Sequence, residues 1–229
     1  MTRKENTVGI LVGLLATAVA LFALGSWSDP ITATVVDSET GQPIEGVVVV
    51  AGWELKGGFE GGNPVGHLAL MEAVTDQAGK FHFAGWGPRF SIRGALRAEE
   101  PRLLFFKNGY SYLNFTNRAS RAWHGRQANS MVDGTRVKLE KFRGTPKEYA
   151  KNLDFLATRL GDIISWIGKE CNWKKMPKMI HALYKQGEWF KAHGYELFNA
   201  PHNDLIAGEE YYLKIGCGST KEFLTGITK

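Results

Sequence analysis

The run GVVVVAGW at residues 46–53 most constrains the fold. Read at strand period, Val47, Val49, Ala51 and Trp53 share one face, while Val48 and Val50 occupy the other. Successive side chains on a strand point to opposite sides of a sheet. This strand therefore needs apolar cover on both sides, as strands buried between layers do. Its neighbours have the same character. ITATVVD reads as a strand with SETGQP as its turn, and RLLFFK reads as another strong strand. EAVTD and KFHFA read as a hairpin around residues 76–79, with Gly79 supplying positive φ, and His82 faces outward between Phe81 and Phe83. TRVKLEKF alternates Val137 and Leu139 with charged residues. Short strands parted by regular turn signals predict a mainly β chain, a two-sheet antiparallel β-sandwich rather than an α/β fold.

Ahead of this lies an apolar run at residues 8–27 that contains no ionisable group and follows Arg3 and Lys4. About 18–20 such residues suffice to cross a ~30 Å hydrocarbon core as a helix. Basic residues stay on the cytoplasmic side, so the rest of the chain is expected outside. Two outcomes compete. A retained anchor would place Trp27 at the membrane interface, whereas a cleaved signal peptide would use Ala23-Leu24-Gly25 before Ser26 as its cleavage site. Both place the folded part on the periplasmic, extracytoplasmic side, in the cell envelope. The expected division is 1–27 anchor or signal, 28–143 β-sandwich and 144–229 helical extension.

The β-segment carries an ordered set of residues. D-x-x-T-G-x-P-I-x-G-x-x-V runs from Asp37 to Val49, T-D-x-x-G-x-F-x-F from Thr75 to Phe83, and F-x-N-G-Y from Phe106 to Tyr110. This order resembles the carboxypeptidase regulatory-like domain and is similar to proteobacterial envelope proteins that carry it. The resemblance covers about half of the chain, residues 31–142. It implies a transthyretin-like (prealbumin-like) β-sandwich serving as an accessory module for adhesion, stability or binding, without catalytic machinery of its own. Fold alone assigns no function.

Binding on a rigid β scaffold is usually located in its long connections. Three stretches stand out, at residues 56–67, 84–102 and 114–134. The net charge is +5, and from residue 89 to 143 twelve Lys and Arg side chains meet four acids. The candidate binding set is Trp86, Arg89, Arg93, Arg97, Arg118, Arg121, Trp123, His124 and Arg126. Stacking on tryptophan and charge-assisted hydrogen bonds from arginine suit an anionic glycan, a lipid or an acidic envelope protein. A solvated surface, with the tryptophans capping the ends of the sandwich, is the competing reading. Nucleic acid is not expected as a partner outside the cytoplasm.

After Gly144 the period changes. Tyr149, Leu153, Leu156, Leu160, Ile163 and Ile167 form a helical stripe, with Thr145 as N-cap before Pro146. A second helix is expected from Pro177 to Gly194, using Met179, Ile180, Leu183 and Phe190, and GEEYYLKIG is expected to add a strand. Cys171 and Cys217 are a candidate disulfide, with two buried thiols as the alternative.

No catalytic motif and no metal site emerges, and no cofactor is expected. His193-x-x-Glu196 matches a zinc carboxypeptidase spacing but lacks a downstream third ligand. The alternative function is an enzyme, a metal-dependent hydrolase or dioxygenase-like, with its site in the sandwich loops. Intradiol dioxygenases also use a prealbumin-like sandwich and hold iron with two Tyr and two His. Tyr110, Tyr112 and His124 resemble that set in part, without the close His pair. His67 and His124 are the residues whose loss would test an enzyme reading.

Overall fold

The computed structural model describes residues 25–57, 62–96, 101–116, 119–123, 126–164, 170–195 and 201–228. The expected membrane segment lies outside these residues up to position 24. Its last residues do not. Ser26–Ser28 form strand β1, so the expected boundary at 27 falls inside the β-structure.

The protein is mainly β, with antiparallel pairing and several helices. After β1 come β2 (Ile31–Asp37), β3 (Val48–Gly57), β4 (Asn63–Val74) and β5 (Lys80–Phe83). Next are β6 (Trp86–Arg89), β7 (Ala95–Leu96), β8 (Arg102–Phe106) and β9 (Leu113–Thr116), then β10 (Ala119–Trp123), β11 (Arg126–Ser130) and β12 (Arg136–Leu139). They form three sheets: β4-β3-β8-β9 with β7 beside β3, β12-β2-β5, and β10-β11-β1-β6. Two pairings, β1 with β11 and β2 with β12, are parallel, unlike the wholly antiparallel expectation. Partners so far apart in sequence are not joined by a hairpin, so no turn imposes the antiparallel direction.

The central strand is covered on both sides as its sequence requires. Val47, Val49, Ala51 and Trp53 join Val35 of β2, Phe81 and Phe83 of β5, Phe105 of β8 and Leu139 of β12 in one buried cluster. Val48 and Val50 join Leu104 and Phe106 in a second cluster, beneath the helices.

Three local expectations change. Strands β4 and β5 do not pair with each other; β4 pairs β3 and β5 pairs β2, so the chain passes between sheets at residues 76–79. The turn itself is as expected. Asp76 Oδ1 accepts the N–H groups of Ala78 and Lys80, and Gly79 has φ +71 with Val35 O only 2.5 Å from where a Cβ would stand. Much of the 56–67 stretch continues the β3–β4 ladder out to Gly57 opposite Asn63. The 114–134 stretch is largely strand, in β9, β10 and β11.

Helix α1 (Pro146–Ile164) opens with a reciprocal cap. Thr145 Oγ1 accepts the Glu148 N–H at 3.3 Å, while the Glu148 carboxylate accepts the Thr145 N–H at 2.7 Å. Its Tyr149, Leu153, Leu156 and Leu160 are buried against the sheet, so part of the expected 144–229 extension shares a core with β3 and β8. Ile163 has no described side chain, and Ile167 lies outside the described residues.

A 3-10 turn (Asn172–Lys175) leads to α2 (Pro177–Ala192), whose Met179, Ile180, Leu183 and Phe190 are buried as expected. Then follow α3 (Pro201–Ala207), α4 (Glu209–Lys214) and α5 (Thr220–Thr228). The expected strand at GEEYYLKIG is thus helix α4. Helical winding sets Tyr212 edge-on to Trp173 at 5.7 Å and turns Glu209 toward the start of α5, where it accepts the Thr220 N–H at 2.7 Å. Cys171 and Cys217 form a disulfide, with their Cα atoms 5.4 Å apart. Among the described residues no helix is long and apolar enough to cross a membrane.

Candidate functional site

Five of the nine expected binding residues gather on the small sheet β10-β11-β1-β6. In register, Ser26 faces Arg89 and Ser28 faces Trp86 on one side of β1, and Trp27 faces Arg126 on the other. One strand further, Trp123 pairs with Arg126 and Arg121 with Ala128. Three more of the nine, Arg97, Arg118 and His124, lie outside the described residues. At the start of β1, a Cβ on Gly25 would stand 2.5 Å from Pro88 Cβ and 3.4 Å from the Phe90 ring. The last part of the apolar run therefore touches the end of β6. Just beyond, Phe90 and Ile92 are exposed at 52% and 106%.

Trp86 is not a stacking platform for ligand. It is buried, edge-on to Trp53 at 5.5 Å, because an indole of that size contributes more as core than as surface. Arg89 lies over it, its guanidinium carbon 4.9 Å from the ring centroid, and donates to Leu68 O at 3.1 Å.

Arg93, the ninth residue, belongs to a polar joint between sheet and helical layer. It donates to Glu170 Oε1 at 2.7 Å, and the same carboxylate accepts the His67 N–H at 3.0 Å and Asn172 Nδ2 at 2.8 Å. The His67 ring sits behind, its Nδ1 3.4 Å from Glu170 Oε2. Burial pushes the Glu170 carboxyl up, but the bonds from His67, Arg93 and Asn172 outweigh it and hold the group at about 2.

Next to His67 is a notch lined by Glu54, Arg102, Asn114 and Arg159. Glu54 contacts Lys56, and Arg102 approaches it at 3.6 Å. The notch holds about 20 Å³, room for one water-sized group. Among the described residues no hydroxyl or thiol lines it, so His67 has no nucleophile among them to activate. Glu170, Asn172 and Glu54 were absent from the sequence expectation. They stand in no motif, and Glu170 meets Arg93 across 77 positions of chain.

The remaining histidines and tyrosines do not converge. Tyr110 donates its hydroxyl to Asp37 Oδ2 at 3.1 Å and packs against the cluster between the sheets, whereas Tyr112 packs against the cluster under the helices. His82 is exposed beside Thr32 Oγ1 at 2.8 Å, and His193 stacks on Trp189 at the end of α2. Its expected companion Glu196 lies outside the described residues. Among the described residues no three His, Cys, Asp or Glu side chains group as metal ligands would.

No family model matches the chain, and no curated protein matches it. Among solved structures, it is similar to 3-chlorocatechol 1,2-dioxygenase from Rhodococcus opacus 1CP, at 18% identity and a TM-score of 0.34 over 52% of this chain. It is also similar to two mutants of Acinetobacter radioresistens catechol 1,2 dioxygenase, at 15% identity and TM-scores of 0.33 and 0.32. The chain spans 61% of the first of these structures and 53% of the other two.

Proposed function

We propose that this chain is a non-enzymatic, exported protein of the cell envelope, tethered by its N-terminal apolar segment. Its β-structure serves as a transthyretin-like sandwich of the carboxypeptidase regulatory-like kind. The small sheet β10-β11-β1-β6 faces the membrane, where Arg89 and the strands that carry Arg121 and Arg126 approach anionic lipid headgroups and Phe90 and Ile92 enter the interface.

One observation carries this reading. Gly25, near the end of the apolar run, lies against Pro88 and Phe90, so a chain leaving a bilayer there would bring the exposed Phe90 and Ile92 to the same edge. Each basic residue near an anionic surface contributes about 1 kcal/mol. The Cys171–Cys217 bridge fits an oxidising compartment. Binding is preferred to catalysis because the strongly shifted Glu170 and Glu209 carboxylates are each occupied by several hydrogen bonds within the fold.

The test uses the full chain in nanodiscs with an environment-sensitive dye on Ile92→Cys, and on Phe155→Cys of α1 as the comparison. With phosphatidylglycerol the Ile92 dye is expected to shift to the blue while the Phe155 dye stays aqueous. An aqueous signal at both positions overturns the orientation. Chain recovered from the cytosol with free thiols overturns the export.

A further inference from the structure

Away from the small sheet, a second basic surface has a different chemistry. Strand β3 pairs with β7 at Leu55 and Lys56, near the segment that carries Phe90 and Ile92. The opposite end of β3 begins at Val48, roughly 23–26 Å away at ~3.3 Å per residue. There a cleft of about 320 Å³ opens between the sheet and α2. Val48 and Phe106 form its floor, and Lys107 and Asn108 come from the turn after β8. Lys185, Gln186 and Trp189 come from one face of α2, at i, i+1 and i+4. Its volume is at the lower end of the ~300–1,000 Å³ range of small-ligand sites.

Three features define what would fill it. First, both lysines lack a carboxylate partner among the described residues, and no acid lines the cleft, so it favours an anion. Second, Trp189 is 42% exposed, though one contact of its indole is a stack on His193 at 4.2 Å. An exposed indole at the rim of a basic cleft suits a flat apolar ring face. Third, Gln186 is only 4% exposed as a residue and lines the cleft. It offers a donor and an acceptor together, as vicinal hydroxyls require. Gly46 lets Lys107 lie close, because a Cβ there would stand 2.9 Å from its Nζ.

We propose that this cleft binds one acidic pyranose unit of a polysaccharide. The ring stacks on Trp189, its hydroxyls pair with Gln186, and its carboxylate meets Lys107 and Lys185. An aromatic acid would satisfy the tryptophan and the lysines but present no pair of hydroxyls to the Gln186 amide. An acidic peptide would satisfy the lysines alone.

Calorimetry on the full chain in detergent micelles compares trigalacturonate with neutral galactotriose and hexaglutamate. Trigalacturonate is expected to bind saturably, at least tenfold tighter than either of the others, and more weakly as salt rises. Trp189→Ala and Gln186→Leu are each expected to weaken it at least tenfold, and Lys185→Ala severalfold. Equal binding of hexaglutamate, no binding of trigalacturonate, or full affinity in Trp189→Ala overturns the proposal. Trp189 is a surface residue, and Gln186→Leu keeps the side chain's size, so a folding failure in one leaves the other to decide. The nanodisc result does not depend on this outcome, since Ile92 belongs to the other end of β3.

Discussion

The two faces of β3 are held in different ways. Toward the three-stranded sheet, its side chains join an apolar cluster, with Phe81 edge-on to Phe83 at 5.5 Å and to Phe105 at 5.7 Å. Toward the helices the middle of the strand is equally apolar, but the rim is fixed by specific polar bonds. Glu72 of β4 accepts the Lys178 and Met179 N–H groups at 3.0 and 2.7 Å, Glu170 gathers His67, Arg93 and Asn172, and a disulfide closes the far side. Sheet-on-sheet packing follows from side-chain alternation along each strand. Helix-on-sheet packing leaves the helices free to slide and rotate, and these distant polar and covalent contacts fix their register.

The sharpest way to break this contrast is to empty the core between the sheets and then to release the helical layer. Phe105→Ala is expected to cost about 3–5 kcal/mol and to lower the urea midpoint of β and helical signals together. A midpoint shift confined to one signal would show that the layers unfold independently. Removing the bridge with Cys171→Ser and Cys217→Ser should cost about 2–4 kcal/mol, since the cysteines are 46 residues apart. Here the two signals should separate, with far-UV helical ellipticity lost first. Coincident loss would mean that the apolar stripe of α1 is sufficient to hold the helical layer.

Acid gives a smaller, signed effect. The Glu170 carboxyl has an ordinary value of 4.5 and is held at about 2 in the fold. A depressed value contributes stability above pH 4.5 that is lost as pH falls toward 2. Glu209, also held at about 2 by Thr220 first and Ser219 next, acts in the same direction. Glu170 is 12% exposed, but Arg93 reaches it from a side chain 41% exposed. With that screening, its share is about 1–2 kcal/mol. Urea midpoints measured from pH 5 to 2.5 should fall less steeply in Glu170→Gln than in the native chain. An unchanged slope would remove Glu170 from the acid response.

What could be read from the sequence divides along the same line. The burial of β3 on both faces, the Asp76 turn, the outward His82 and the stripe of α1 all depend on spacings within a few residues. The sequence of helix α4 predicts a strand because Tyr211 and Tyr212 have strong β propensity, and only the distant Trp173 ring and Thr220 amide favour the helix. The sequence leaves Trp86 between a ligand-binding surface and a cap on the sandwich, because nothing local reveals that Trp53 lies 5.5 Å away. The Glu170 joint was invisible for the same reason. The five residues on the small sheet were recognised as basic and aromatic, but that β1 places Arg89 and Arg126 on either side of it depends on its parallel pairing with β11.

The two helix caps give the finest comparison. Thr145 and Glu148 form a cap that is fully local, three residues apart. Helix α2 has Met176 at the equivalent position, with no side-chain cap of its own, and Glu72 of a neighbouring strand supplies both bonds from more than a hundred positions away. Burial raises the Glu72 carboxyl, and the Met179 and Lys178 bonds only partly offset it. Both caps satisfy backbone donors at a helix start, so Thr145→Ala and Glu72→Ala should each cost about 0.5–2 kcal/mol. Their kinetics should differ. A local cap can form as its helix forms, so Thr145→Ala is expected to slow refolding, whereas the long-range cap closes after the sheet is in place, so Glu72→Ala should mainly speed unfolding. Stopped-flow rates on the two variants measure this directly, and a refolding rate slowed equally by both would mean that α2 docks on β4 before the transition state.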